Sequence, residues 1–171
     1  MEGIWLALGF VCSSILAVTL IPSLPAPFAY TPLMLILGVI VLHRVSIAHG
    51  VVWLLLSGVL FLHGDNMPLH TMSYIAAAIV GAFFAARTFA KRSVYALLGL
   101  GTIVGGVFIA TSWLGNAVTL FFGRDDVVRL SAHEAQSTFI LLLVGLYAGF
   151  ILSVALRRWF ERIFYVAAGA R

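Results

Sequence analysis

Residues 49–74, HGVVWLLLSGVLFLHGDNMPLHTMSY, decide the fold. An apolar run over residues 47–62 ends in Gly64, Asp65, Asn66 and Pro68, and a second apolar run begins at His70. Glycine and proline punctuate the backbone, while Asp and Asn side chains bond their own main chain in turns. The stretch therefore reads as two transmembrane helices joined by a tight external turn. The same apolar character continues outward in both directions.

The chain has 171 residues, of which 63% are hydrophobic and 9% charged, and its mean hydropathy is +1.12. One soluble core of this size cannot hide that many apolar side chains, so the protein must face lipid. The net charge of +4 does not point to nucleic acid, because the basic residues sit in short clusters between apolar runs. They read as topology signals and contacts to lipid headgroups. Cys12 is the only cysteine and lies inside the first apolar run, which excludes an intrachain disulfide. That first run is read as a retained helix, since Glu2 occupies the region where a signal peptide carries Lys or Arg.

The pattern predicts an all-α, single integral membrane domain over residues 1–171. Its six transmembrane helices cover about 4–21, 32–42, 47–62, 70–86, 95–114 and 138–156. The second is short unless residues 28–31 extend it, and Pro32 suits its first turn. Residues 95–122 stay apolar for about 42 Å if wholly helical. That length predicts a tilted helix, or a break near Gly115 and Asn116 that leaves residues 117–122 at the interface. Ser131 and Glu134 have the spacing of a capping box. With both termini inside, Arg44, Arg87, Lys91, Arg92, Arg157, Arg158, Arg162 and Arg171 fall on the cytoplasmic side and only Arg124 and Arg129 outside. The positive-inside rule selects this orientation.

Every charged residue and histidine then lies at or beyond the end of a span. This weighs against an ion-coupled transporter or pump, which needs intramembrane charge. His63, His70 and Asp65 could hold a metal across the tight turn. The plainer reading makes them interfacial side chains that close the turn and cap helix ends, and His43 and His49 are read likewise. Ser57 has no histidine at its depth to act as a base, so it reads as a packing residue. No catalytic, cofactor-binding or metal-ligating residue is expected. The positive signal is small residues at helical spacing: Gly101 with Gly105, Gly145 with Gly149, and the row Ala77, Gly81 and Ala85. Such rows let helices approach closely in lipid, within one bundle or against a partner. Gly38, Gly50 and Gly58 are candidates for the same role. Tyr30, Trp53, Tyr74, Tyr95, Trp113 and Trp159 fit interfacial aromatic belts.

The layout resembles the rod-shape-determining MreD family in length, in six spans and in having little mass outside the membrane. The local pattern is similar over roughly residues 4–120, with a proline-introduced second helix (TPLMLILGVIVLHR) and a glycine-bearing third (GVVWLLLSGVLFLHGD). Gly58 matches the family's glycine, and Asp65 follows slightly later than the family's acid, near whose place His63 stands. The resemblance implies a non-enzymatic scaffold of the cell-elongation machinery in the bacterial cytoplasmic membrane. It would bind a bitopic periplasmic scaffold and a wall synthase through helix faces, with Asp65, Asn66 and Pro68 on the external turn. The main alternative is a substrate-binding membrane subunit of an energy-coupling-factor vitamin transporter, with Asn116, Asp125, Asp126 and His133 lining an external pocket. A pocket with convergent polar groups favours the subunit. A filled bundle with an exposed Gly/Ala groove favours the scaffold. A third class, a haem or metal membrane enzyme, needs ligands facing one another across helices.

Overall fold

The computed structural model describes residues 2–60, 67–87, 93–121 and 131–168. Among these the chain is all-helical: α1 (Glu2–Ile15), α2 (Leu33–Arg44), α3 (Ile47–Leu60), α4 (Met67–Arg87), α5 (Val94–Phe121) and α6 (Ala132–Ala168). Three stretches are long and apolar enough to cross a membrane, Ile4–Ser23, Val94–Val118 and Ala132–Ala155. Leu33–Arg44, Ile47–Leu60 and Thr71–Arg87 are shorter apolar helices.

Proline explains most of the helix ends. Pro22 has no N–H and its ring crowds the carbonyl four residues back. The helix accordingly widens into a π turn over Leu16–Leu20 and finishes as a 3₁₀ turn over Ile21–Ser23. Residues 28–31 do not extend α2. Phe28–Tyr30 form a separate 3₁₀ turn, and Thr31, held extended by the proline that follows it, precedes an α2 that starts at Leu33. Helix α4 begins at Met67, three residues ahead of the expected start, because Pro68 fits a helix's first turn.

Helix α5 runs unbroken past Gly115 and Asn116 to Phe121. A glycine costs a helix interior about 1 kcal/mol. Opening the backbone in apolar surroundings costs several kcal/mol for each unpaired group, so continuity wins. Helix α6 opens on the expected capping box: the Ser131 N–H donates to Glu134 Oε2 at 2.7 Å, and the Glu134 N–H donates to Ser131 Oγ at 3.1 Å. It continues well beyond residue 156, since residues 157–168 contain neither glycine nor proline.

Helix α2 is the centre of the molecule. It touches each of the other five helices and buries Met34, Leu35, Ile36, Gly38, Val39, Val41, Leu42 and His43. Helices α3 to α6 pack in sequence around it, and α6 closes back onto α2. Helix α1 lies outside this ring against α2 and α3, with most of its apolar side chains exposed. Its main anchor is Phe10, set edge-on to Trp53 of α3 at 5.1 Å between ring centroids. Trp53 and Tyr74, expected at an interface, are instead buried in the core. Tyr74 packs edge-on to Phe108 at 5.0 Å.

Candidate functional site

The small residues predicted to matter occupy the helix contacts of this ring one after another. A Cβ added to Gly38 on α2 would strike Leu54 of α3, and one added to Gly50 on α3 would strike the Leu42 backbone of α2. Gly58 on α3 sits against Tyr74 and Thr71 of α4, where the Thr71 hydroxyl donates to the Gly58 carbonyl at 3.0 Å. A Cβ added to Gly81 on α4 would lie 3.1 Å from Val104 of α5, with Ala77 fully buried beside it and Ala85 partly buried. Gly101 and Gly105 on α5 seat Leu146 and Leu142 of α6. Gly145 and Gly149 on α6 seat Ile36 and Ile40 of α2. These glycines thus pack the chain's own bundle, whereas Gly106 faces open space.

The two ends of the bundle differ. At the arginine end, Arg44 closes α2 and lies 4.3 Å from the Phe150 ring of α6, and Arg87 closes α4 and lies 4.4 Å from the Phe83 ring. Among the described residues, the Arg44 Nε and Nη2 are buried without a hydrogen-bond partner. His49 is engaged locally, its Nδ1 2.5 Å from Ser46 Oγ.

At the opposite, proline end, the segment linking α1 to α2 covers a partly open cavity of about 260 Å³. The end of the α1 run, the 3₁₀ turn at Phe28–Tyr30, and helices α2, α4, α5 and α6 all contribute to its wall. Most of the lining is apolar, with hydroxyls from Tyr30, Thr31, Tyr74, Ser112 and Thr138 and no charged side chain. The Tyr74–Phe108 pair forms an aromatic wall. Ser112 is held by Ser73 of α4 at 2.9 Å and donates to the Phe108 carbonyl at 2.8 Å.

Of the residues expected to line an external pocket, the two that are described, Asn116 and His133, do not line this cavity. His133 is exposed and Asn116 stands on α5, while Asp125 and Asp126 lie outside the described residues. The external turn residues Asp65 and Asn66, and His63 with them, also lie outside the described residues; Pro68 and His70 stand on the first turn of α4. Among the described residues no group of three His, Cys, Asp or Glu could hold a metal ion. Ser57 spends its hydroxyl on the Trp53 carbonyl at 2.7 Å.

Sequence reading gave Tyr30 to an aromatic belt and assigned no role to Ser112 or Thr138. The available signal was hydroxyl residues in apolar helices at the ends nearest the prolines, a pattern shared with ordinary helix packing. The chain matches no family model, no curated protein and no solved structure.

Proposed function

We propose that the chain is a non-enzymatic, multi-pass component of the bacterial cytoplasmic membrane that acts by binding partner membrane proteins as a scaffold of the cell-elongation machinery. In this reading all six helices cross the membrane, both termini lie inside, and α2 tolerates its length of about 18 Å because neighbours cover it. The carrying observation is the contrast between the ring and α1. The ring satisfies its own glycine faces and supplies the buried hydrophobic core, whereas α1 buries none of its large apolar side chains and exposes Ile4, Trp5, Leu8, Val11 and Ile15. A helix so lightly committed to its own bundle is available to a bitopic partner. Resemblance to the MreD family supports assigning that partner to a periplasmic scaffold and, beyond it, a wall synthase.

Cross-linking in native membranes followed by purification tests this. Wall-synthesis or cytoskeletal proteins are the expected company, lost on Leu8→Arg in α1; recovery of ATPase subunits in their place overturns the scaffold.

The cavity favours a second reading, the substrate-binding membrane subunit of an energy-coupling-factor transporter. Its place at the proline end, which the proposed topology turns outward, is where such a subunit would meet its ligand.

A further inference from the structure

We propose that the cavity at the proline end is a binding site for a small, neutral, aromatic molecule carrying one hydrogen-bonding group, which Thr138 holds. The inference rests on the second reading above and deepens it by naming the class of ligand.

The first argument is the state of the Thr138 hydroxyl. Helical Ser and Thr in apolar surroundings return their hydroxyl to a carbonyl about one turn back. Thr19, Ser57, Thr102, Thr111, Ser112 and Ser153 all do so here. Thr138 is 9% exposed and lines the cavity, yet its hydroxyl makes no hydrogen bond among the described residues. The hydroxyl therefore stands open to the cavity with its bonding capacity unused, where a ligand atom can bond it.

The second argument is the lining. An apolar cavity of about 150 Å³ accommodates benzene. The 260 Å³ here is room for a fused two-ring molecule. The edge-on Tyr74 and Phe108 rings offer the geometry in which a third ring packs well. A charged ligand would leave water without any opposite charge in the lining, so the site selects for neutrality.

The test uses the full chain in nanodiscs, with 2-naphthol as the probe and empty nanodiscs as the blank. Saturation-transfer NMR is expected to show saturable 2-naphthol binding, and binding of naphthalene-2-sulfonate at least tenfold weaker. Thr138→Val preserves side-chain shape and is expected to weaken 2-naphthol binding about three- to tenfold, the size of one neutral hydrogen bond. Ala29→Trp fills the cavity and abolishes binding; if that variant does not fold, Thr138→Val still decides. No saturable binding, or an unchanged affinity in Thr138→Val, overturns the proposal. So does sulfonate binding equal to that of 2-naphthol. Octanol binding more tightly than 2-naphthol identifies a lipid-like chain as the occupant and overturns the aromatic class. Failure to recover ATPase subunits sinks the transporter reading alone, whereas failure of the probe to bind sinks the site.

Discussion

Ser73 on α4 and Ser112 on α5 meet hydroxyl to hydroxyl at 2.9 Å, both buried, across the helix pair that walls the cavity. The bond joins α4 and α5 beside the Tyr74–Phe108 contact of the same helix pair. Hydrogen bonds between helices in lipid average about 0.6 kcal/mol and reach about 1.7. A double-mutant cycle of Ser73→Ala and Ser112→Ala should return a coupling in that range when unfolding is followed in mixed micelles. Additive single effects would remove the bond from the stability of the fold.

The glycine seats predict an order of sensitivity. At Gly50 an added Cβ meets the Leu42 backbone, which cannot swing aside, so Gly50→Ala should cost about 1–3 kcal/mol. At Gly101 it meets the far end of the Leu146 side chain, which can rotate, and the cost should be smaller. Gly106 faces open space, and Gly106→Ala should gain about 0.5–1 kcal/mol from helix propensity. Thermal unfolding of the three variants checks the ranking, and a loss at Gly106 equal to that at Gly50 contradicts it.

Arg44 separates two opposing effects. Its stacking on Phe150 is worth about 0.5–2 kcal/mol. Among the described residues, two of its nitrogens are buried without hydrogen bonds, a cost that removing the charge would relieve. Arg44→Met should therefore change stability by less than about 1 kcal/mol, because the two terms offset. Phe150→Leu leaves the guanidinium in place without its ring and should be the more damaging change. The opposite ranking in a melting experiment would show that the charge itself holds α2 in position.

The capping box gives a local prediction. Ser131→Ala removes the acceptor for the Glu134 N–H and should cost about 1 kcal/mol, with fraying confined to the start of α6. Hydrogen exchange would show faster loss of protection at residues 132–135 and little change elsewhere. Protection lost throughout α6 would mean that the whole helix depends on its cap.

Orientation is open to labelling. With Cys12 replaced by serine, a cysteine at Asn66 should react with a membrane-impermeant thiol reagent in intact cells. Reaction only after the cells are broken would reverse the proposed topology.

The periodicity and length of the apolar runs made the six helices legible, and Ser131 with Glu134 marked the start of α6. Where expectation and structure part, proline and the cost of open backbone decide. Pro68 draws α4 back to Met67, and the lack of any proline carries α5 through Gly115 and Asn116. The small-residue rows were readable as packing faces, but which helix each would meet was not. That pairing depends on α6 returning to α2, a contact between distant parts of the chain with no local signature. The cavity was harder still to see. Its wall gathers residues from the α1–α2 segment and from α2, α4, α5 and α6, and Thr138 stands out only once the bonds of the other hydroxyls are known.

The central place of α2 bears on how the protein is made. This helix leaves the ribosome before α3, α4 and α5, and only after them come Gly145 and Gly149 of α6, which receive its Ile36 and Ile40. Until α6 arrives, one flank of the shortest helix has no protein neighbour. Under the proposed topology, assembly holds the early helices in an incomplete state until α6 inserts, and truncating the chain before α6 should expose α2 to membrane proteases.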